Sequence, residues 1–187
     1  KALELVAEII VNTDEDIQYD QREIPRIVKP IIEEKADIVL TDRNVKNLSH
    51  MPFGKKYGNM LSTFITSLIS GYKIRDAQSG FRAFSRETAL RLNILADYTY
   101  VQETIIQSVD KKLKIIQVPC TFRKRYSGKS RLISNIWTYA YRAGSFMIRS
   151  YIRYKPFKSF VLIGLIPFIL GLILIIRFMT FYLKAVS

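Results

Sequence analysis

Apolar residues along the first 122 positions follow two alternating rhythms. Short, β-branched or aromatic runs at Glu8–Thr13 (EIIVNT), Asp37–Thr41 (DIVLT), Gly80–Phe84 and Ile115–Phe122 (IIQVPCTF) predict strands. Between them the apolar positions recur at helical spacing. Asp20 and Glu23 predict a capping box for a helix to about Lys35, with Pro25 in its first turn and Pro30 as a kink. Tyr57, Met60, Leu61, Phe64, Ile65, Leu68 and Ile69 predict a second helix, stopped by Gly71. Ser85 predicts the cap of a short helix to about Leu92, and Thr99 with Gln102 the cap of another ending near Lys111. Pro119 marks an edge or a strand end. Strands alternating with helices predict an α/β layered domain with a mostly parallel sheet.

Beyond residue 122 the rhythm changes. Phe160–Ile176 (FVLIGLIPFILGLILII) is a run of 17 uncharged, almost wholly apolar residues. With Arg177 snorkelling it extends to Leu183, long enough for a transmembrane helix, which Pro167 is expected to kink. A buried core helix is the alternative; flanking Arg149, Arg153, Lys155 and Lys158 weigh against it. Upstream, Arg131, Arg142, Arg149 and Arg153 fall within a stripe of roughly 40° on a helix. Trp137, Phe146, Met147, Tyr151 and other apolar residues cover much of the rest of the circumference, the pattern of an amphipathic juxtamembrane helix lying in the interface. Three regions follow: residues 1–122 as the α/β domain, 123–158 as a basic loop and interfacial helix, and 159–183 as the membrane span.

Charge sharpens this division. The 187-residue chain carries a formal +13, yet all 16 acidic residues lie in the first 110 positions. Residues 111–187 hold 15 of the 29 Lys and Arg and no carboxylate. Such an end faces a membrane or a nucleic acid. The apolar run selects the membrane, and the α/β half lacks interleaved basic and aromatic recognition motifs for nucleic acid. Five cations from Arg142 to Lys158 predict that residues 1–158 lie on the cytoplasmic side. Single Cys120 excludes an internal disulfide framework, and single His50 a His-rich metal site.

Three segments carry candidate chemistry. In Asn12–Asp20 (NTDEDIQYD), Asp14 and Asp16 leave the end of a strand, where open α/β sheets place ligands. At i and i+2 of an extended segment both can face one cation, with Gln18 as a third oxygen, a donor set suited to Mg²⁺ or Mn²⁺ on a diphosphate. An ordinary acidic turn is the equal alternative. In the second segment, Arg75 to Phe84, Gly80 permits close backbone approach, Ser79 offers a hydroxyl, and Arg75 and Arg82 can grip phosphate oxygens. The third, Arg123-Lys124-Arg125-Tyr126-Ser127-Gly128-Lys129-Ser130-Arg131, is a basic loop without the glycine spacing of a Walker loop. A solvated basic face or a headgroup tether is its plain alternative.

Asp14 to Gln18, the Asp76-Ala77-Gln78-Ser79-Gly80-Phe81 run and Arg125 to Arg131 resemble, in order, the motifs of glycosyltransferase family 2. The resemblance is to the branch of dolichol-phosphate mannosyltransferase and the polyprenyl-phosphate glycosyltransferases. It implies a GT-A-type nucleotide-diphospho-sugar transferase domain, partial here, with the strands that hold the donor base expected before Lys1. Residues 1–7 then read as the end of a helix. It further implies a nucleotide-sugar donor (GDP- or UDP-linked), a polyprenyl phosphate acceptor (dolichyl or undecaprenyl), and inverting displacement at the anomeric carbon. Asp14, Asp16 and Gln18 would hold the metal. Arg75 and Ser79 match positions that contact the lipid phosphate, with Arg82 and Ser130 as further substrate-binding candidates; Arg125 would stand between acceptor phosphate and leaving diphosphate, and Arg43 is a weaker candidate for that cluster. Some relatives carry an acidic residue where Ser79 stands, and Glu103 is the remaining acidic candidate, for a donor hydroxyl or merely for a helix face. Homo-oligomerisation stays open. The alternatives are a family 2 enzyme with another acceptor, or a non-catalytic, membrane-tethered binder of anionic ligands.

Overall fold

The computed structural model describes residues 3–4, 6–14, 17–94, 100–124, 144–145, 148–149 and 151–186. It divides into two units, Lys1–Phe146 and Met147–Ser187.

In the first unit, strand β2 (Ile38–Asp42) is the best-buried strand, with four of its five residues buried. Its β-branched alternation supplies both faces of the core. Val39 joins Tyr19, Ile27, Ile31, Ala36, Phe81 and Ala83 on one side, and Ile38 and Leu40 join Ile74, Ala77 and Ile105 on the other. Helix α1 (Ile24–Ile32) covers the first face with Ile27 and Ile31. Helix α4 (Tyr100–Asp110) covers the second through Ile105, with α2 (Phe53–Ser70) against it.

The sheet order is β1-β3-β2-β4, with β1 Ile9–Asn12, β3 Arg82–Ser85 and β4 Ile115–Pro119. β2 and β4 are parallel, and β3 runs antiparallel to both β1 and β2. Three strands therefore share a direction, but the mostly parallel sheet expected from the sequence is interrupted by a reversed strand near its middle. A period-two pattern is the same read in either direction, so only the path of the connection decides it. The consequence is functional: Arg82, the first residue of β3, pairs with Asn12, the last of β1, and with Leu40 near the end of β2. The loop entering β3 thus lies at the same sheet edge as the ends of β1, β2 and β4.

Local signals fare unevenly. Ser85 Oγ accepts the Thr88 N–H and caps α3 (Arg86–Arg91), and Gly71 ends α2 in the left-handed region at φ 73°. Asp20 caps a 3-10 turn, Gln21–Glu23, that leads into α1, but the reciprocal half of the expected capping box does not form. Instead Glu23 accepts the Thr121 hydroxyl at 2.7 Å and its N–H, fastening α1 to the segment after β4. Gln102 lies inside α4, donating to Ser62 of α2, and Thr99 lies outside the described residues. Near the start, the Val6 N–H donates to the Leu3 carbonyl and Val6 takes a φ of 57°; most of the rest of the expected helix end lies outside the described residues.

In the second unit, α5 (Pro156–Val186) is a 31-residue helix that continues through Pro167. Its stretch Pro156–Lys184 is long and apolar enough to cross a membrane. The expected interfacial helix over Arg131–Tyr154 falls largely outside the described residues.

Candidate active site

The edge formed by the ends of β1, β2 and β4 and the start of β3 collects two of the three chemical segments and the root of the third. Asp14 follows β1 by two residues and is exposed. Its carboxylate closes over Gly80: a Cβ at position 80 would lie 2.7 Å from Oδ1 and 2.8 Å from Oδ2. A side chain at position 80 would push this exposed carboxylate aside. Asn12 completes the junction, its Nδ2 donating to the Gly80 carbonyl at 3.1 Å. Past Asp14 the chain turns through Ile17, a β-branched residue held at φ 55°, an uncommon and strained conformation next to the candidate ligands.

The turn is then stitched to the root of the basic segment. Tyr19 bridges Phe122, and Gln18 accepts the Arg123 N–H at 2.8 Å while its Nε2 donates to the Arg123 carbonyl at 3.0 Å. Asp20 pairs with the Arg123 guanidinium. Arg123, two residues before Arg125 in the chain, is therefore held beside Gln18 and Asp20. Asp16, Arg125 and Ser130 themselves lie outside the described residues.

Beneath this rim is a buried polar floor. Thr41 Oγ1 donates to the Phe81 carbonyl at 2.6 Å and lies 2.6 Å from Ser79 Oγ, which is 3.2 Å from the Tyr19 hydroxyl. The Gly80 N–H donates to that same tyrosine oxygen at 3.2 Å. With one proton per hydroxyl, the chain has one consistent direction: Tyr19 to Ser79 to Thr41 to the Phe81 carbonyl. Burial pushes the Tyr19 phenol up to about 12, against the Arg43 charge and the Ser79 hydrogen bond. Ser79 is wholly buried, so its hydroxyl braces the loop instead of opening onto the rim.

Two arginines lie in the same floor. Arg43 grips Asp76 in a bidentate pair, Nε to Oδ2 at 2.6 Å and Nη2 to Oδ1 at 2.9 Å, and also donates to Asn59 Oδ1. Its backbone N–H also donates to Asp76, and its guanidinium lies 5.1 Å from the centre of the Phe122 ring. Burial opposes the Arg43 charge, but the hydrogen bonds and charge of Asp76 outweigh it and hold the group above its ordinary value. Arg82 is held by carbonyls: Nε to Ser79 at 2.8 Å, Nη1 to Val101 at 2.6 Å and Nη2 to Ala77 at 3.2 Å. Burial lowers its pKa to about 10. Ser79 and Arg82, expected to contact substrate phosphates, and Arg43, the weaker candidate, are all buried in this floor with their polar groups engaged by protein partners.

Arg75 differs. It is exposed at the mouth of the loop, anchored through its backbone N–H to Gln117 Oε1 at 2.7 Å. Glu103 is buried in α4 and accepts from Gln107 at 3.4 Å. Among the described residues no three His, Cys, Asp or Glu side chains form a cluster fit for a metal ion. The residues missed in the sequence are Tyr19, Thr41, Asn59 and Asp76. Asp76 lies in the second candidate segment, and a carboxylate directly beside an arginine was the available signal.

Residues 4–91 match the family described as Glycosyl transferase family 2. The chain is 38% identical over 127 residues to a UDP-N-acetylglucosamine–dolichyl-phosphate N-acetylglucosaminyltransferase of Methanococcus voltae, covering 64% of this chain and 49% of that protein. It is 22% identical over 140 residues to an undecaprenyl-phosphate mannosyltransferase of Micrococcus luteus, covering 72% and 57%. With a dolichol-phosphate mannosyltransferase of Pyrococcus furiosus it shares 29% over 136 residues, covering 69% and 37%. The chain thus spans about half the length, or less, of these relatives.

Proposed function

Residues 4–91 belong to glycosyltransferase family 2, and from this premise we propose that the protein transfers a sugar from a nucleoside-diphosphate donor to a polyprenyl phosphate. The observation that carries the reading is the junction at the sheet edge. Asp14 closes over Gly80 while Gln18 holds Arg123, so the carboxylate segment and the root of the basic segment share one rim directly above the Asp76–Arg82 loop. One relative's name joins a nucleotide sugar, UDP-N-acetylglucosamine, to dolichyl phosphate, and another's names undecaprenyl phosphate and mannose, so the polyprenyl phosphate recurs while the sugar differs.

The donor set of Asp14, Asp16 and Gln18 consists of hard oxygens and fits Mg²⁺ or Mn²⁺. Such an ion, when bound, neutralises charge on the donor diphosphate. Arg75, exposed beside the loop, and Arg125 with Ser130 in the basic segment take the acceptor and leaving phosphates; Arg43, Ser79 and Arg82 keep the floor rigid beneath them. Glu103 braces α4. The acceptor phosphate monoester, with a second pKa of about 6, is already largely ionised near neutral pH and needs orientation more than a general base. Its oxygen forms the new bond to the anomeric carbon as the bond to the diphosphate breaks, the electron pair leaving with the nucleoside diphosphate. The anomeric configuration inverts. Five cations from Arg142 to Lys158 support a cytoplasmic position for this domain, with α5 in the membrane.

The test uses the full-length protein in liposomes, with UDP- and GDP-sugars, dolichyl or undecaprenyl phosphate, and Mg²⁺ or Mn²⁺. Sugar–phosphate–lipid product is expected, abolished by Asp16→Ala with folding intact. Absence of product from every donor and acceptor pair overturns the reading; undiminished transfer by Asp16→Ala overturns the metal assignment.

A further inference from the structure

Helix α2 is amphipathic in the reverse sense. Its inward face is small and hydroxylated: Ser62, Thr66 and Ser70 are buried with Ile69, and Thr63 accepts the Ala77 N–H at 3.0 Å. Asn59 on the same side accepts from Arg43. Its outward face is apolar. Phe53, Tyr57, Leu61, Phe64 and Leu68 follow spacings of four, four, three and four residues, a stripe within roughly 80° of arc, and each is more than half exposed. A stripe of this size is not explained by isolated surface hydrophobes.

The charges around it identify what covers it. From Arg43 to Arg75 the chain holds six Lys and Arg and no Asp or Glu. Arg43 is engaged with Asp76; the others bracket the stripe, with Lys46, Lys55 and Lys56 about its N-terminal end and Lys73 and Arg75 beyond its C-terminal end. At the first of these ends Lys46, Lys56, Phe53, Tyr57 and Met60 line a shallow hollow of about 290 Å³, ammonium groups beside aromatic and thioether surface. Aromatic and aliphatic side chains in one stripe, cations at both ends and no carboxylate are the composition of a helix lying in the headgroup region of an anionic bilayer. A protein partner matched to this face would have to be apolar and acidic together, whereas an anionic bilayer offers both by nature. The same chain supplies its own bilayer if α5 spans one.

We propose that the outward face of α2 is a second membrane contact of the protein, in which Phe53, Tyr57, Leu61, Phe64 and Leu68 enter the acyl boundary of an anionic leaflet and Lys46 and Lys56 take a lipid headgroup phosphate. This contact is separate from α5 and does not depend on sugar transfer. It would hold the α/β unit on the leaflet by a face of its own.

The test places a nitroxide on Phe64→Cys, and separately on Leu68→Cys, in a Cys120→Ser background. The full-length protein is reconstituted into phosphatidylcholine vesicles with and without phosphatidylglycerol. Glu87→Cys, on the exposed side of α3, is the water-facing reference. With phosphatidylglycerol present, the ratio of oxygen to nickel-chelate collision rates is expected to be severalfold higher at 64 and 68 than at 87, and to fall when the anionic lipid is omitted. Equal ratios at all three positions overturn the proposal. A high ratio indifferent to phosphatidylglycerol overturns its headgroup part. Spin–spin broadening at 64 that vanishes on dilution with unlabelled protein identifies a second copy as the occupant and also overturns it. Transfer activity is measured on the same samples, so failure of this contact and failure of the proposed reaction are read separately.

Discussion

The rim and the floor of the site are built on opposite principles. At the rim, Asp14 and the strained Ile17 are exposed, and the Asp14 carboxylate stands at the sheet edge. Below it, all of the Asp76–Arg82 loop but Gln78 is buried, and its polar side chains pair with Arg43, Tyr19, Thr41 and Ser62 or with backbone. Ligands that come and go need groups whose partners can be exchanged, whereas a loop that holds those groups in register needs partners that cannot. Two arginines make the contrast within the floor itself. Arg43 keeps its charge because Asp76 supplies the opposite one; Arg82 has a depressed pKa because carbonyl dipoles only partly replace the water it has lost.

This division of labour can be broken first at its strongest point. Asp76→Ala leaves the Arg43 guanidinium buried beside no carboxylate, and is expected to lower unfolding free energy by about 3–5 kcal/mol in denaturant titration. A loss below about 1 kcal/mol would mean that the pair behaves like a surface contact and that the floor is not closed. Gly80→Ala tests the seam between the regions. Its Cβ would displace the Asp14 carboxylate, so turnover in the liposome assay should fall by on the order of a hundredfold with little change in thermal midpoint.

Tyr19 sharpens the contrast through pH. The folded phenol stays protonated up to about 12 against an ordinary value of 10, so its contribution is complete below pH 10 and is lost as pH rises toward 12. Wild type is expected to lose about 2–3 kcal/mol across that interval relative to Tyr19→Phe, measured as the difference between their denaturant midpoints at each pH. The smallest effect belongs to the rim. Arg123→Ala removes the half-exposed pair with Asp20 and should cost less than about 1 kcal/mol. A larger loss would show that Arg123 belongs with the floor.

Much of the fold was legible because local chemistry decided it. The β2 run, the Ser85 cap and the Gly71 stop each act over a few residues, and the apolar run in α5 needs no partner to be recognised. Helical spacing likewise revealed the α2 stripe, but spacing reports which residues share a face and not which way that face turns. Here the hydroxylated side was drawn inward by Arg43, Ala77, Gln78 and Gln102, whose partners on α2 are Asn59, Thr63 and Ser62. Glu23 failed as half of a capping box for a related reason: Thr121, 98 residues away, offered it a better partner.

By itself, then, the sequence determined the alternation of elements, the acid-free basic end, the apolar helix and the residue types from which a phosphate-handling site could be made. Tertiary structure alone decided that β3 runs backwards between β1 and β2 and so delivers Gly80 beneath Asp14. It also decided which arginines remain available. Arg43 and Arg82 are as cationic in the sequence as Arg75, but a guanidinium's role depends on whether the donors around it meet a carboxylate, a carbonyl or solvent. Of those partners, Asn59, Val101 and Asp76 lie 16, 19 and 33 residues away along the chain, where no local pattern records them.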